Sequence, residues 1–311
     1  MEADPFQMIA TAEPAGKKSK KGKPATASET TAHARRTNSD EAFERALQSA
    51  VSSPRRRSSI NLDDIFLSLQ ENNICEDPYA VAAEFIGTFL FLFATTLSVT
   101  YSGGKLINIA TCYGITLAVI VFITGPVSGG HINPAVTFAL ALHRAISPKQ
   151  ALYYVLSQIL GAICGVAMAY GIADELIGSI FVNERVSVSA GFFGEAIGTW
   201  FLVMTVFATA VHPSEGRQTP EKQALCNLAP MVIGWSVWAM HFALVGVTGC
   251  GINPARYIGT AMVLNQWSGT EWIYILAPMF GALVAFPTQK MIYKPDPADE
   301  EELALDAPRT D

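Results

Sequence analysis

What most limits this chain is the distribution of its charges. Residues 78–293 hold only 16 Asp, Glu, Lys and Arg among 216 residues, while the two flanking tails hold the other 32. A water-soluble domain of that length would need far more charge to cover its surface. Crossing a hydrocarbon core of roughly 30 Å takes about 20 apolar residues. Six stretches qualify: residues 80–99, 107–125, 152–172, 192–211, 225–245 and 273–292. Two further apolar segments, Pro134–Leu142 and Pro254–Leu264, are too short to span and suit re-entrant or buried pieces. The expected fold is an all-α membrane protein of six transmembrane helices and two re-entrant half-helices.

An even number of spans puts both termini on one side. With the tails inside, 18 of the 21 Lys and Arg lie on that side, and only Lys105, Arg185 and Arg256 lie outside. This excess predicts a multi-pass protein with both termini cytosolic, in a plasma membrane or an intracellular vacuolar membrane. Residues 1–77 read as a disordered cytosolic tail, too poor in large apolar groups to fold alone. Its basic runs KKSKKGK and RRRSS attract anionic lipid head groups. Ser58 and Ser59, behind three arginines, form a candidate phosphorylation site; a solvated tail that only enforces topology fits equally well. Residues 60–70 suit a short amphipathic helix lying on the membrane, and residues 294–311 form an acidic cytosolic tail. The first 20 residues lack the apolar core of a signal peptide. Five cysteines, an odd and scattered set, give neither a disulfide framework nor metal-ligand spacing. No metal, cofactor or nucleic acid is called for.

The membrane domain, residues 78–293, repeats itself. AEFIGTFLFLF from Ala83 matches GEAIGTWFLVM from Gly194, which pairs Glu84 with Glu195. Later in each half comes a second shared motif, SGGHINPAV from Ser128 and TGCGINPAR from Thr248. The halves are residues 78–173 and 190–293. Three spans per half is an odd number, so the halves insert in opposite directions. Such inverted repeats place their functional site near the midplane, between the halves.

Each N-P-A triplet reads as a helix start. Asn133 and Asn253 suit the N-cap, where the side chain accepts a free backbone N–H. Pro134 and Pro254 suit the first helical position, where a missing N–H costs nothing, and Ala135 and Ala255 continue the turn. At 1.5 Å per residue the two helices run roughly 15 and 16 Å, about half a membrane. Non-helical backbone at that depth is tolerated only where protein buries it or water wets it. Two half-helices entering from opposite faces and meeting at their N-termini satisfy this. Each presents about half a positive charge from its dipole, which makes the meeting point hostile to cations.

With these paired triplets in this topology, residues 78–293 resemble the major intrinsic protein family, the aquaporins and aquaglyceroporins. The resemblance implies a homotetramer with a pore in every protomer and passive transport of water in single file, with protons and ions excluded and no enzymatic step. It implies that Asn133 and Asn253 donate to water, and that backbone carbonyls of the two unwound loops line its path. It also implies a selectivity filter at Tyr113, His241, Cys250 and Arg256, matching the water-selective type, in which glycerol conductors replace the histidine with a small residue. Glu84 and Glu195 are implied to accept hydrogen bonds from the re-entrant loop of their own half, with His131 supporting the first. Tyr257 and Ala261 stand where glycerol facilitators carry Asp and Lys, while Tyr257 and Ile275 also depart from the common water pattern. The alternatives are a facilitator of glycerol or other small neutral solutes such as hydrogen peroxide, and a secondary transporter that couples Glu84 or Glu195 to protons. The loop from His212 to Lys222 suits either a gate folded over the inner mouth or, the commoner case, an ordinary polar connector.

Overall fold

Among the described residues, proline opens five of the eight α-helices between Pro78 and Ile292, each time where its lost N–H has no partner to give up. The computed structural model describes Asp63, Leu67 and Gln70 together with residues 76–173, 180–216 and 218–293. Helix α1, Pro78–Tyr101, starts where the Asp77 carboxylate accepts from the Ala80 amide. Helix α2, Leu106–Ser128, stops at Gly129, which takes the left-handed conformation (φ 86°) that glycine adopts without strain. The half-helix α3, Pro134–Leu142, follows, then α4, Pro148–Ala173. Helix α5, Val188–Val206, is capped by Ser187 and runs on through a π-turn, Phe207–Val211, and a 3₁₀ turn, His212–Ser214. Helix α6, Pro220–Thr248, ends at Gly249 (φ 77°); the half-helix α7, Pro254–Leu264, and the last span α8, Ile273–Ile292, complete the chain.

Six of these helices are long and apolar enough to cross a membrane, with α5 and its two turns counting as one span to Ser214. They contain the six apolar stretches read from the sequence, and the two half-helices have the expected bounds. The π-turn was not foreseen; it adds a residue to one turn without a proline or glycine to announce it. The outer surface is apolar: Phe122 is 70% exposed, and Ile115, Phe193 and Trp235 also face outward. The buried polar residues run the other way, with Glu84 and Glu195 fully enclosed and Arg256 only 5% exposed. Threonines within the spans, among them Thr88, Thr95, Thr124 and Thr199, satisfy their hydroxyls on the carbonyl four residues back. This is an integral, multi-pass membrane protein.

Glycine sets how closely the spans approach. A Cβ on Gly161 or Gly165 of α4 would lie 2.5 and 2.3 Å from the Phe85 and Phe89 carbonyls of α1. The same contact recurs in the second half, where a Cβ on Gly281 of α8 would lie 2.2 Å from Ala196 O of α5. Between the halves, Gly114 of α2 and Gly234 of α6 face one another's backbone. Without lipid-driven hydrophobic association, such close backbone packing is what holds spans together. The half-helices are seated across the halves, α3 against α8 and α7 against α4.

Ser58, Ser59 and residues 294–311 lie outside the described residues. Of residues 60–70, Asp63, Leu67 and Gln70 are helical and exposed, and the Asp63 carboxylate accepts from Tyr79 Oη at 2.7 Å.

Replacing Gly165 with Val forces α1 and α4 apart and is expected to cost about 2–3 kcal/mol. Gly171→Val, where a Cβ meets nothing within 4 Å, serves as the contrast. Thermal melting in micelles checks both; equal melting of the two variants would refute the close-packing account.

Candidate functional site

Asn133 and Asn253 bring the two half-helices tip to tip. Each carboxamide oxygen caps its own helix, Asn133 Oδ1 accepting from Ala135 N and Asn253 Oδ1 from Ala255 N and Arg256 N. Each carboxamide nitrogen crosses to the other half: Asn133 Nδ2 donates to Ile252 O and Asn253 Nδ2 to Ile132 O, both at 2.9 Å. The carboxamide has two N–H groups, so each asparagine keeps one for another acceptor.

The loops that deliver these asparagines are strained. Ile132 (φ 53°) and Ile252 (φ 41°) are β-branched residues in the left-handed region, which costs of order 1–3 kcal/mol each. Two buried carboxylates hold them there. Glu84 accepts from His131 N (2.9 Å), Ile132 N (2.7 Å), Ser128 Oγ (2.6 Å) and Gln158 Nε2 (2.7 Å). Glu195 accepts from Gly251 N (2.7 Å), Ile252 N (2.5 Å) and the Thr248 hydroxyl. Tyr154 Oη donates to Ser128 O as Tyr274 Oη does to Thr248 O. His131 packs beside the first loop, its Nδ1 3.1 Å from Thr137 Oγ1.

Arg256, on the first turn of α7, does not reach toward the surface. Its Nε donates to Tyr113 Oη at 3.0 Å, Nη2 to Gly249 O at 3.1 Å and Nη1 to Cys250 O, with the guanidinium carbon 4.6 Å from the Tyr113 ring centre. The other face of Tyr113 stacks on His241, ring centres 4.0 Å apart. His241 Nδ1 lies 2.8 Å from Val237 O. A carbonyl only accepts, so Nδ1 carries the proton and Nε2 is left as an acceptor. Cys250 Sγ sits 3.5 Å from the same Nδ1 and is fully buried. The four residues singled out from the sequence are thus one contiguous group.

A cavity of about 840 Å³ leads away from this group. It touches His241 and Arg256 at one end, passes Asn133 and Asn253, and reaches Ser214, Gln223 and Asn227 at the exposed end. Gly129, Gly130, His131, Gly251 and Ile252 of the re-entrant loops border it, while Tyr113 and Cys250 do not. Sequence reasoning missed its wall residues Phe91 and Leu202, although the aligned repeat motifs already paired them. It also missed His143. At the exposed end the Glu215 carboxylate lies 2.6 Å from His143 Nε2 and 3.2 Å from His212 Nδ1, and Gln289 Nε2 lies 3.4 Å from His143 Nδ1. The polar connector is thereby tied to the end of α3 and to α8. Tyr257, an outlier in sequence, is buried and stacks on Tyr274 at 4.5 Å, a packing role.

The model of the major intrinsic protein family matches residues 74–287. This chain is a member of that family. Members of the major intrinsic protein family are channels rather than enzymes. Similar relatives include a probable aquaporin PIP2-2 of Oryza sativa subsp. japonica, 36% identical over 230 residues that cover 66% of this chain and 78% of that protein. Aquaporin PIP2-1 of Arabidopsis thaliana is 37% identical over 228 residues, with the same coverage. Among solved structures, the aquaglyceroporin of Plasmodium falciparum superposes with a TM-score of 0.60 at 23% identity, over 69% of this chain and 96% of that one. That likeness concerns the fold of the channel.

Removing one carboxylate tests what holds the site together. Glu84→Ala strands the His131 and Ile132 amides, each unpaired buried group costing about 1–3 kcal/mol, whereas Glu84→Gln keeps one acceptor oxygen. The expected order of melting temperature is wild type, Gln, then Ala. An alanine variant that melts with the wild type would show that the carboxylate does not pin the loop.

Proposed function

We propose that this channel conducts water passively in single file and excludes protons and ions. The observation that carries the reading is one cavity that runs past both half-helix tips and ends on His241 and Arg256. Along it the free N–H of each asparagine serves as a donor, and the unwound loops bring backbone carbonyls to the path. At its end, His241 Nε2 accepts and the remaining guanidinium N–H groups donate. A water molecule, able to do both, loses little on entry, which supports water as the substrate.

Charge selection comes from two sources. The half-helix N-termini face each other, each worth about half a positive charge, and Arg256 adds a full charge in a setting where water cannot screen it. Cations and protons therefore meet a barrier at two levels, as described for aquaporin-type pores. Size selection falls to the contact group of Tyr113, His241 and Arg256, whose bulk leaves little space for a carbon skeleton. Glu84 and Glu195 spend their lone pairs on the loops, which favours a structural role over proton relay. The plant aquaporin relatives support water as the solute, and the resemblance to the family is the ground for a homotetrameric assembly with one pore per protomer. The bias of Lys and Arg supports cytosolic termini, which makes the end at Gln223 the inner mouth.

Proteoliposomes containing the full chain are expected to shrink faster than empty ones in sorbitol and not to reswell quickly in glycerol. Fast glycerol reswelling with slow water flux would overturn the assignment. Passing water between Tyr113 and Arg256 breaks their hydrogen bond, worth about 1 kcal/mol. Tyr113→Phe is therefore expected to raise water permeability about fivefold, and Arg256→Ala to admit larger neutral solutes and to weaken proton exclusion, read by a trapped pH dye.

A further inference from the structure

The internal repeat relates two rings of residues around the pore. In the part of each half that carries the re-entrant loop, equivalent residues are 120 positions apart, as Tyr154 and Tyr274, Ile132 and Ile252, and Gly114 and Gly234 are. Carried through that offset, the ring of Tyr113, His241, Cys250 and Arg256 corresponds to Ile233, Val121, Gly130 and Val136. All four of these counterparts line the cavity. One ring is built of a phenol, an imidazole, a thiol and a guanidinium. Its mate toward the other end is built of aliphatic groups and a glycine.

The cavity as a whole is larger than a single file of water needs. The cavity holds about 840 Å³, against roughly 30 Å³ for each water, and falls in the range of about 300–1,000 Å³ typical of small-molecule sites. Among the described residues no Asp, Glu or Lys lines it, and Arg256, the one guanidinium among them, lies at the filter end with contacts of its own. Hydrogen-bonding side chains stand at the asparagine tips and again at Ser214, Gln223 and Asn227; Ser128, His131 and Tyr154 also border the cavity but are bonded to the first loop and its supports, and the other groups between form a mainly apolar belt. The outer side of α2 also borders the cavity. Phe122 is 70% exposed on the outer surface and also borders the cavity, next to Gly125, where an added Cβ would meet nothing within 4 Å.

We propose that this half of the pore is a binding site for an uncharged amphiphile, a medium-chain primary alcohol being the simplest. Its alkyl chain lies against Val121, Ile233 and the other aliphatic groups of the belt, its hydroxyl pairs with a polar group at one end, and its presence displaces the water file. An uncharged ligand leaves no unpaired charge of its own among the aliphatic groups of the belt. This inference rests on the water-channel reading, because its effect on flux presupposes that water takes this path.

The test uses the full chain in proteoliposomes, with 1-hexanol as the probe at concentrations that leave empty liposomes unchanged. Osmotic water flux is expected to fall in a saturable way. Across the series from 1-butanol to 1-hexanol the half-inhibiting concentration is expected to drop about fourfold per methylene. Val121→Thr puts a hydroxyl in the belt with little change of shape, Ile233→Thr does so with the loss of one methyl, and each is expected to raise the hexanol concentration needed at least threefold relative to its own flux. Insensitivity to hexanol, or equal inhibition of wild type and both variants, would overturn the proposal. If the chain carries no water at all, the channel reading fails instead. Saturable binding of a fluorinated hexanol to the protein in nanodiscs, followed by ¹⁹F NMR and weakened by either variant, then decides the site separately.

Discussion

Two buried carboxylates make the rest of this architecture possible. Unwound backbone at membrane depth has no water to satisfy it, and every orphaned amide there is costly. Glu84 and Glu195 supply acceptors to the amides that precede each triplet, and do so from rigid positions on α1 and α5. With those amides satisfied, Ile132 and Ile252 can sit in a conformation that β-branched residues otherwise avoid. That turn lets each half-helix begin at the centre of the protein instead of at a membrane face. The asparagines then complete the arrangement by bonding across the pseudo-twofold axis, so neither half can be placed correctly without the other.

The repeat gives the two halves one backbone and different surfaces. The scaffold positions match: glycine against a facing carbonyl in α4 and α8, and a tyrosine hydroxyl on the carbonyl that ends α2 and α6. The pore positions do not match. Where the second half carries His241, Cys250 and Arg256, the first carries Val121, Gly130 and Val136. Symmetry thus preserves what packs and is broken in the group at the end of the cavity. A strictly symmetric pore would have had two cationic constrictions in series or none.

Much of this was legible in the residues. Helix-breaking N-P-A triplets inside apolar surroundings have few physical solutions, and the half-helices have the bounds that capping chemistry predicts. Other features carry no local signal. The π-turn after Val206 has no sequence punctuation. The pairing of Glu215 with His143 joins segments 72 residues apart, and a histidine with no partner in view reads as solvated. Tyr257 looked like a departure from the pattern of a filter-neighbouring residue, and its stack on Tyr274 identifies it as packing.

By itself, the sequence determined the membrane-spanning class, the number of crossings, the inverted repeat and the places where helices start. Each follows from local chemistry: apolar length against bilayer thickness, proline and asparagine at helix starts, and the parity of crossings. Only the tertiary structure decided that Arg256 turns inward to Tyr113 and two carbonyls, that Tyr113 stacks on His241, and that a largely apolar cavity leads from them past both asparagines. Those outcomes depend on which side chains meet from helices over a hundred residues apart, and a contact between distant elements has no periodicity in the chain from which it could be read.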